Sequence, residues 1–491
     1  MKFFILCQVV KLKLEVKKTK ILIVLFVFFL FLFKSIFFLD PDFGWHIKMG
    51  EVILSSGVPK TDQFSYTMPS FPHVDSAWLS GLFMHYSFKT IGWFGTGVLF
   101  SFFAILTVVI SLKFKIGKNT IVPTVLVGGI LMAFAGIRPQ VLSWFFFAIL
   151  ITFFLNPKYW KRLRFFLPII FIFWANLHGG FGMGFFAFFL FLILKDWKRK
   201  KISFLDWLIF AISILATLVN PYGFGVWQEV GRAIFDSTTK WTISEWLPAL
   251  FNFLPSLWTF VALSVFMVFR YRKKLSAFEK ILYLLLFLAG MSSVRHIPFW
   301  IIVALPITIK SISLFEAEAK KVKMGKERFS KAYTFFLFLS MIIVLLPLAL
   351  GVRSQSSLNE ENFYPKKAVE YLKNNQSSSQ MFSVYEWGGY LIWKYPEKKV
   401  FIDGRMATWK WNTKIKNETN YVYKDYLALK AGEVEFNSAV VKYRIDTVLL
   451  PVKKQKKKSV IDFLSEKIEN KFSKKGKYGD IYSQLKRNGW R

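Results

Sequence analysis

The chain has 491 residues, 54% hydrophobic and 19% aromatic, and its 66 Lys and Arg against 30 Asp and Glu give a formal net charge of +36. Repeated apolar stretches near the length of about 20 residues that crosses a bilayer core exclude an ordinary soluble protein. The charge does not mark a nucleic-acid binder, because Lys and Arg fall in short clusters between the apolar stretches and not over one soluble face. The only cysteine, Cys7, excludes a disulfide within the chain.

Residues 1–20 form a short basic arm. The first span, Ile21–Leu39, is longer than the h-region of a signal peptide and no small-residue cleavage site precedes Asp40, so it reads as a retained helix. Further spans are expected near Phe94–Leu112, Ile121–Ala135, Val141–Leu155, Phe165–Ala175, Phe181–Leu194, Phe204–Val219, Phe253–Phe269, Leu275–Met291, Ile297–Ile309 and Tyr333–Val352, about eleven in all. The basic clusters Lys11–Lys20, Lys113–Lys118, Lys158–Arg164, Lys195–Lys201, Arg270–Lys274 and Lys310–Lys331 occupy alternate connections. Positive charge marks the cytoplasmic side. The N-terminus is therefore expected inside and the C-terminus outside.

The expected fold class is an α-helical polytopic membrane protein with a C-terminal extracytoplasmic α/β domain. The membrane module covers 21–352, with long outer loops at 40–93 and 220–252, and the outer domain covers 353–491. In that domain Phe382–Tyr385, Val400–Asp403, Thr447–Leu450 and Tyr478–Leu485 read as strands, and Ala368–Asn374 and Val460–Phe472 as helices. The alternation favours a small, mostly parallel sheet.

All five histidines, His46, His73, His85, His178 and His296, map to the outer side. The sharpest motif is Asp40-Pro41-Asp42-Phe43-Gly44-Trp45-His46, directly after the first span. Asp40, Asp42 and His46 have the donor types to share a divalent cation, Mg or Mn. One carboxylate is equally suited to act as a general base or to hold an acceptor. A plainer reading makes Asp42 a helix N-cap. Asp62 and Ser65, in the turn that follows, read as loop-stabilising groups.

Arg138-Pro139-Gln140, Asn176-Leu177-His178-Gly179-Gly180 and Val294-Arg295-His296 sit at short outer turns. Arg138, His178, Arg295 and His296 are candidates for holding a phosphate, which guanidinium groups contact in a planar, bidentate way. Snorkelling to lipid headgroups would also explain the arginines. Glu245, in the second long loop, is a second candidate acid. In the outer domain Tyr385-Glu386-Trp387-Gly388-Gly389-Tyr390 and Asp403-Gly404-Arg405 follow expected strands, where ligands of open α/β sheets bind, which nominates Trp387, Asp403 and Arg405. A tight turn with an Asp–Arg pair is the plainer alternative. Walker A, GxGxxG, HExxH and CxxC patterns do not occur, so ATP-driven transport and zinc proteolysis lose their usual support.

These motifs resemble the GT-C superfamily of membrane glycosyltransferases, which includes protein mannosyltransferases, aminoarabinose transferases and oligosaccharyltransferases. The Asp40-Pro41-Asp42 motif matches the family's Asp-containing first outer loop, and the outer C-terminal domain matches that of many members. Tyr385-Glu386-Trp387-Gly388-Gly389-Tyr390 is similar to the acceptor motif of oligosaccharyltransferases but lacks its second Trp and its Asp. The resemblance implies a bacterial inner-membrane enzyme that moves a sugar from a polyprenyl-phosphate donor, among membrane lipids, to a glycan, lipid or protein acceptor outside. Asp42 or Asp40 would act on the acceptor, and Arg138, Arg295, His178 or His296 on the phosphate. A transporter or flippase of a lipid-linked glycan, a polysaccharide polymerase or ligase, and a structural membrane protein remain as alternatives.

Overall fold

The computed structural model describes residues 21–112, 120–321, 326–353, 360–375, 380–415 and 418–451, with Ile481, Gln484 and Leu485. The basic arm and Val460–Phe472 lie outside the described residues. The chain divides into two compact units. The first gathers Met1–Phe38, Ile91–Gly223 and Pro248–Ser357, and the second Leu39–Thr90, Phe224–Leu247 and Leu358–Arg491.

The first unit is helical. Among the described residues two helices, Trp78–Ser111, which belongs to the second unit up to Thr90, and Val294–Ala319, are long and apolar enough to cross a membrane, or three spans if Gln140–Phe154 and Pro157–Leu177, bent by 111°, count as one. Ile21–Phe37, Ile121–Phe134, Phe204–Ala216, Pro255–Arg270 and Tyr333–Ala349 are apolar but shorter. Local chemistry ends the segments early. Asn156 caps the next helix by accepting the Lys158 N–H at 3.0 Å, and Pro157 starts it without needing a donor. Gly92, at φ 68°, breaks Trp78–Ser111 into two helices in a backbone state that suits glycine.

Hydroxyls inside this apolar bundle are satisfied locally or across helices. Thr107 and Ser111 donate to the carbonyls four residues back, at 3.0 and 2.8 Å, and Ser264 meets Tyr283 and Thr308 at 2.9 and 2.7 Å. Unpaired, each would cost roughly 1–3 kcal/mol. Basic residues from the expected cytoplasmic clusters find carboxylates: Arg164 bonds Asp206 at 2.5 Å, Lys195 also bonds Asp206, and Lys310 bonds Glu279 at 2.8 Å.

The second unit is α/β and discontinuous in sequence. Its sheet pairs two parallel strands, β1 (Gln380–Ser383) and β2 (Ile445–Leu449). Val400 adds isolated parallel bridges to Met381 and to Ser65, so the strand expected at Val400–Asp403 shrinks to a single bridging residue before the chain turns. Where Tyr478–Leu485 was expected to be extended, the described Ile481, Gln484 and Leu485 are helical. Positions four apart share a helix face, and Ile481 and Leu485 both pack on the core. That core joins Phe382, Phe401, Tyr426 and Tyr443 to Met68 and Phe71 from the first loop and Ile243 from the second.

The helix Phe43–Ser56 crosses the helix Gly388–Lys394 at backbone contact distance. A β-carbon on Gly44 would collide with the Gly389 carbonyl and sit 2.8 Å from the Trp393 β-carbon. One on Gly389 would collide with the Pro41 carbonyl. Gly44→Leu should therefore destabilise the protein by about 1–3 kcal/mol, the usual cost of overpacking. Gly231→Ala, in a helix with open space around it, should not. Thermal unfolding of the two purified variants beside wild type checks this; equal melting of Gly44→Leu and wild type would refute the close crossing.

Candidate active site

The Asp40–His46 motif folds as a turn into a helix. Asp40 accepts the Asp42 N–H at 2.9 Å, and its carbonyl accepts the Phe43 N–H at 3.1 Å. Asp42 occupies the N-cap position of Phe43–Ser56, but its side chain makes no capping bond. Its Oδ1 instead accepts the Trp45 indole N–H at 3.0 Å. Asp40 and Asp42 are partly exposed, whereas Trp45 and His46 are buried with their ring centroids 3.6 Å apart.

The two outer-domain motifs close around this turn. Gly389 lies under the Pro41 carbonyl, and a β-carbon on Gly404 would overlap Asp42 Oδ1. The half-buried Tyr385 donates to the Gly404 carbonyl at 2.9 Å. Burial holds its phenol well above the ordinary value, with Tyr423, Asp42 and Asp403 adding to the effect. Trp387 is buried and donates its indole N–H to Phe363 O at 2.9 Å. The structure thus brings Asp40, Asp42 and His46 together with Trp387, Asp403 and Arg405. Glu245 lies half-buried in the same unit, in the turn Ser244–Trp246.

Arg405 is the electrostatic centre. Its Nε and Nη2 bond Asp403 at 2.8 and 2.7 Å, and Nη2 also bonds Asp62 at 2.9 Å. Its guanidinium carbon lies 4.9 Å from the Phe64 ring, 5.0 Å from Trp409 and 5.7 Å from Trp45. Asp62 also receives the Phe64 and Ser65 N–H groups at 3.2 and 2.8 Å, the loop-stabilising role expected of it. Burial raises the Asp62 carboxyl, but Arg405, Ser65 and the nearby His73 outweigh it and the net shift is downward. Asp403 and Arg405 are indeed a paired turn, but a buried one.

Three polar groups here, the buried His73 and Asp75 and the half-buried Glu229, were not among the site candidates drawn from the sequence. Burial pushes His73 down to about 3, helped by Arg405 and opposed by Asp62. Burial pushes Asp75 up to about 6, against the Ala77 N–H and Arg405. Glu229, raised by burial, pairs with Arg232 at 2.6 Å. His73 Nε2, Asp75 Oδ2 and Arg405 Nη1 have no hydrogen-bond partner among the described residues. The signal that could have found two of them is spacing: Asp62, His73 and Asp75 fall close together in one stretch of the first outer loop.

In the first unit the remaining candidates sit at helix ends. Gly136, at φ 154°, turns the chain so that Pro139 leads the helix Gln140–Phe154, leaving Arg138 half-exposed in the turn. His178 ends the helix Leu167–Leu177, and Arg295 and His296 lie in the turn before Ile297–Lys321, all three half-exposed. His178 meets Ser143 at 2.8 Å and the Phe147 and Phe299 rings lie 5.0 Å apart, which puts the three turns at one end of the unit.

The metal expected at Asp40, Asp42 and His46 finds no three-ligand set. Among the described residues no three His, Cys, Asp or Glu converge so as to hold an ion. Asp40 and Asp42 accept hydrogen bonds from their own turn, and the His46 ring lies against Trp45.

The fold is similar to that of the archaeal oligosaccharyltransferase AglB from Archaeoglobus fulgidus, solved in complex with an inhibitory peptide and a dolichol-phosphate. The TM-score is 0.55 at 11% identity, over 88% of this chain and 69% of that one. No family model and no curated protein matches the chain.

The Asp75 shift gives a pH signature. A carboxyl raised on folding binds more protons folded than unfolded between about 4 and about 6, so it costs stability as pH rises through that window. Asp75→Asn should gain on wild type as pH rises from 4 to 7, read as the difference between their melting temperatures. A difference constant with pH would show that Asp75 is not raised.

Proposed function

We propose that this chain is a membrane glycosyltransferase that moves a sugar from a polyprenyl-phosphate-linked donor to an acceptor on the extracytoplasmic side. One observation carries the reading: Asp42 stands at a helix N-cap without capping it, its carboxylate held by Trp45 and enclosed by Gly404. A carboxylate that serves only the helix would bond the first-turn N–H groups. The fold-level likeness to a protein solved with a dolichol-phosphate supports the donor class.

In this reading Asp42, with Asp40 bracing its backbone, orients the acceptor and takes its proton as it attacks the anomeric carbon. The bond from that carbon to the phosphate oxygen breaks, and the phosphate leaves with the electron pair. Within the helical unit, Arg138, Arg295, His178 and His296 are the groups suited to stabilising the charge of a leaving phosphate. Asp403 and Arg405 keep the Asp42 turn in place, and Glu245 is held as a second candidate acid. The glycosyl-phosphate bond supplies the driving force. The proposed setting is a bacterial inner membrane crossed by about eleven spans, with the N-terminus inside and the C-terminal domain outside.

Membranes carrying the protein and supplied with radiolabelled polyprenyl-phosphate sugars should transfer label, and Asp42→Asn should lower the rate by about 10²–10⁴, the usual worth of a general base. Transfer undiminished in Asp42→Asn would remove that residue from the mechanism, and no transfer from any donor would remove the enzyme reading. Reporters fused at Lys198 and Lys454 should report opposite sides of the membrane.

A further inference from the structure

The turn Asn176–Gly180 contains a hydrogen-bond arrangement that decides how His178 can act. Ser143, fully buried in the first turn of Gln140–Phe154, accepts the indole N–H of Trp174 at 2.7 Å. Its oxygen also lies 2.8 Å from His178 Nδ1. The same Nδ1 receives the backbone N–H of Gly180 at 3.0 Å. A backbone N–H can only donate. Nδ1 must therefore present its lone pair, since a hydrogen there would meet the Gly180 hydrogen head-on. The Trp174 N–H also only donates, so the serine oxygen accepts from it and turns its own hydrogen to Nδ1. Gly180 has to be glycine: a β-carbon would collide with Ser143 Oγ and lie 2.9 Å from His178 Nδ1.

We infer that Ser143 is a positioning residue that, with the Gly180 N–H, fixes the imidazole hydrogen of His178 on Nε2. The inference rests on the reading above for its use, because it makes His178 a hydrogen-bond donor towards a phosphate oxygen and not a base. Which ring nitrogen carries the hydrogen is set by what the other one bonds. The chain Trp174 to Ser143 to His178 runs from the packed interior of the bundle to a half-exposed turn, so the ring is oriented before a ligand arrives.

The test has two arms. In the full-length protein labelled with 15N-histidine, the His178 signals are identified among the five histidines by their loss in His178→Gln. Nδ1 should resonate as an unprotonated nitrogen and Nε2 as a protonated one at pH 7. Ser143→Ala, which leaves the Gly180 N–H in place, should keep Nδ1 unprotonated but move its resonance as the serine hydrogen bond is lost, and Trp174→Phe, which keeps an aromatic ring in the core, should do so to a smaller extent. A protonated Nδ1 in wild type, or an unchanged His178 signal in Ser143→Ala, would overturn the inference. This arm needs no turnover, so it stands or falls separately from the enzyme reading.

In the second arm, Ser143→Ala should lower kcat for transfer from the polyprenyl-phosphate donor about tenfold with KM nearly unchanged, the scale of one lost hydrogen bond to a charged group. Ser143→Thr, which keeps the hydroxyl, should recover most of it. Equal losses in both variants would mean that the site needs only the serine's packing, and would refute the positioning role.

Discussion

Arg405 is a charge that the second unit cannot leave unpaired. Its side chain is 3% exposed, and those of Asp62 and Asp403 are 0%. Removing one partner from such a pair typically costs about 3–5 kcal/mol, because the charge left behind stays buried. Arg405 and Asp62 are 343 residues apart, so the ion cluster fastens the first loop to the C-terminal domain. Aromatic rings continue the join. Phe71 stacks on Trp409 at 4.3 Å, Arg405 lies over Trp409, and Arg232, from the second loop, lies over Phe71. Three separate segments become one unit around a few cations and rings.

That dependence explains what the sequence could reveal. The Asp–Arg turn at Asp403-Gly404-Arg405 was legible, because both partners are close in sequence. Its third member, Asp62, was legible only as a loop residue, because nothing local announces a partner so distant. The glycines told a similar story. Gly388 and Gly389 belong to a motif expected beside a ligand, and glycines permit close backbone approach. The approach is real, but what comes close is the chain itself: the Pro41 carbonyl, and the backbone of Ile402 and Asp403. Local motifs show that space is needed and do not say for what.

The helical unit separates the two kinds of signal again. Apolar stretches predicted about eleven spans, and the structure shows two helices, or three with the bent pair, that meet a full span's length and composition. Hydropathy measures how apolar a stretch is. Where a helix stops depends on single residues such as Asn156, Pro157 and Gly92, whose effect an average over the stretch dilutes. The same punctuation creates the turns that bear Arg138, His178, Arg295 and His296. At Arg138 and His178 a short apolar helix ends in a polar turn, whereas Arg295 and His296 stand at the start of Val294–Ala319, which has the length of a full span.

Asp42 shows how far position differs from role. Sequence placed it correctly at a helix start, where an aspartate ordinarily accepts the first free N–H groups. In the structure the helix begins without that bond, and the carboxylate turns to Trp45, whose ring also faces His46 and Arg405. The forgone cap is a cost of about 1 kcal/mol borne by the helix. It is sustained because the helix gains its stability elsewhere, from the close crossing at Gly44 and Gly389. The helix start is thus held from two sides: the glycine contact packs its first turn against Gly388–Lys394, and its N-cap carboxylate bonds the indole of Trp45 in that same turn.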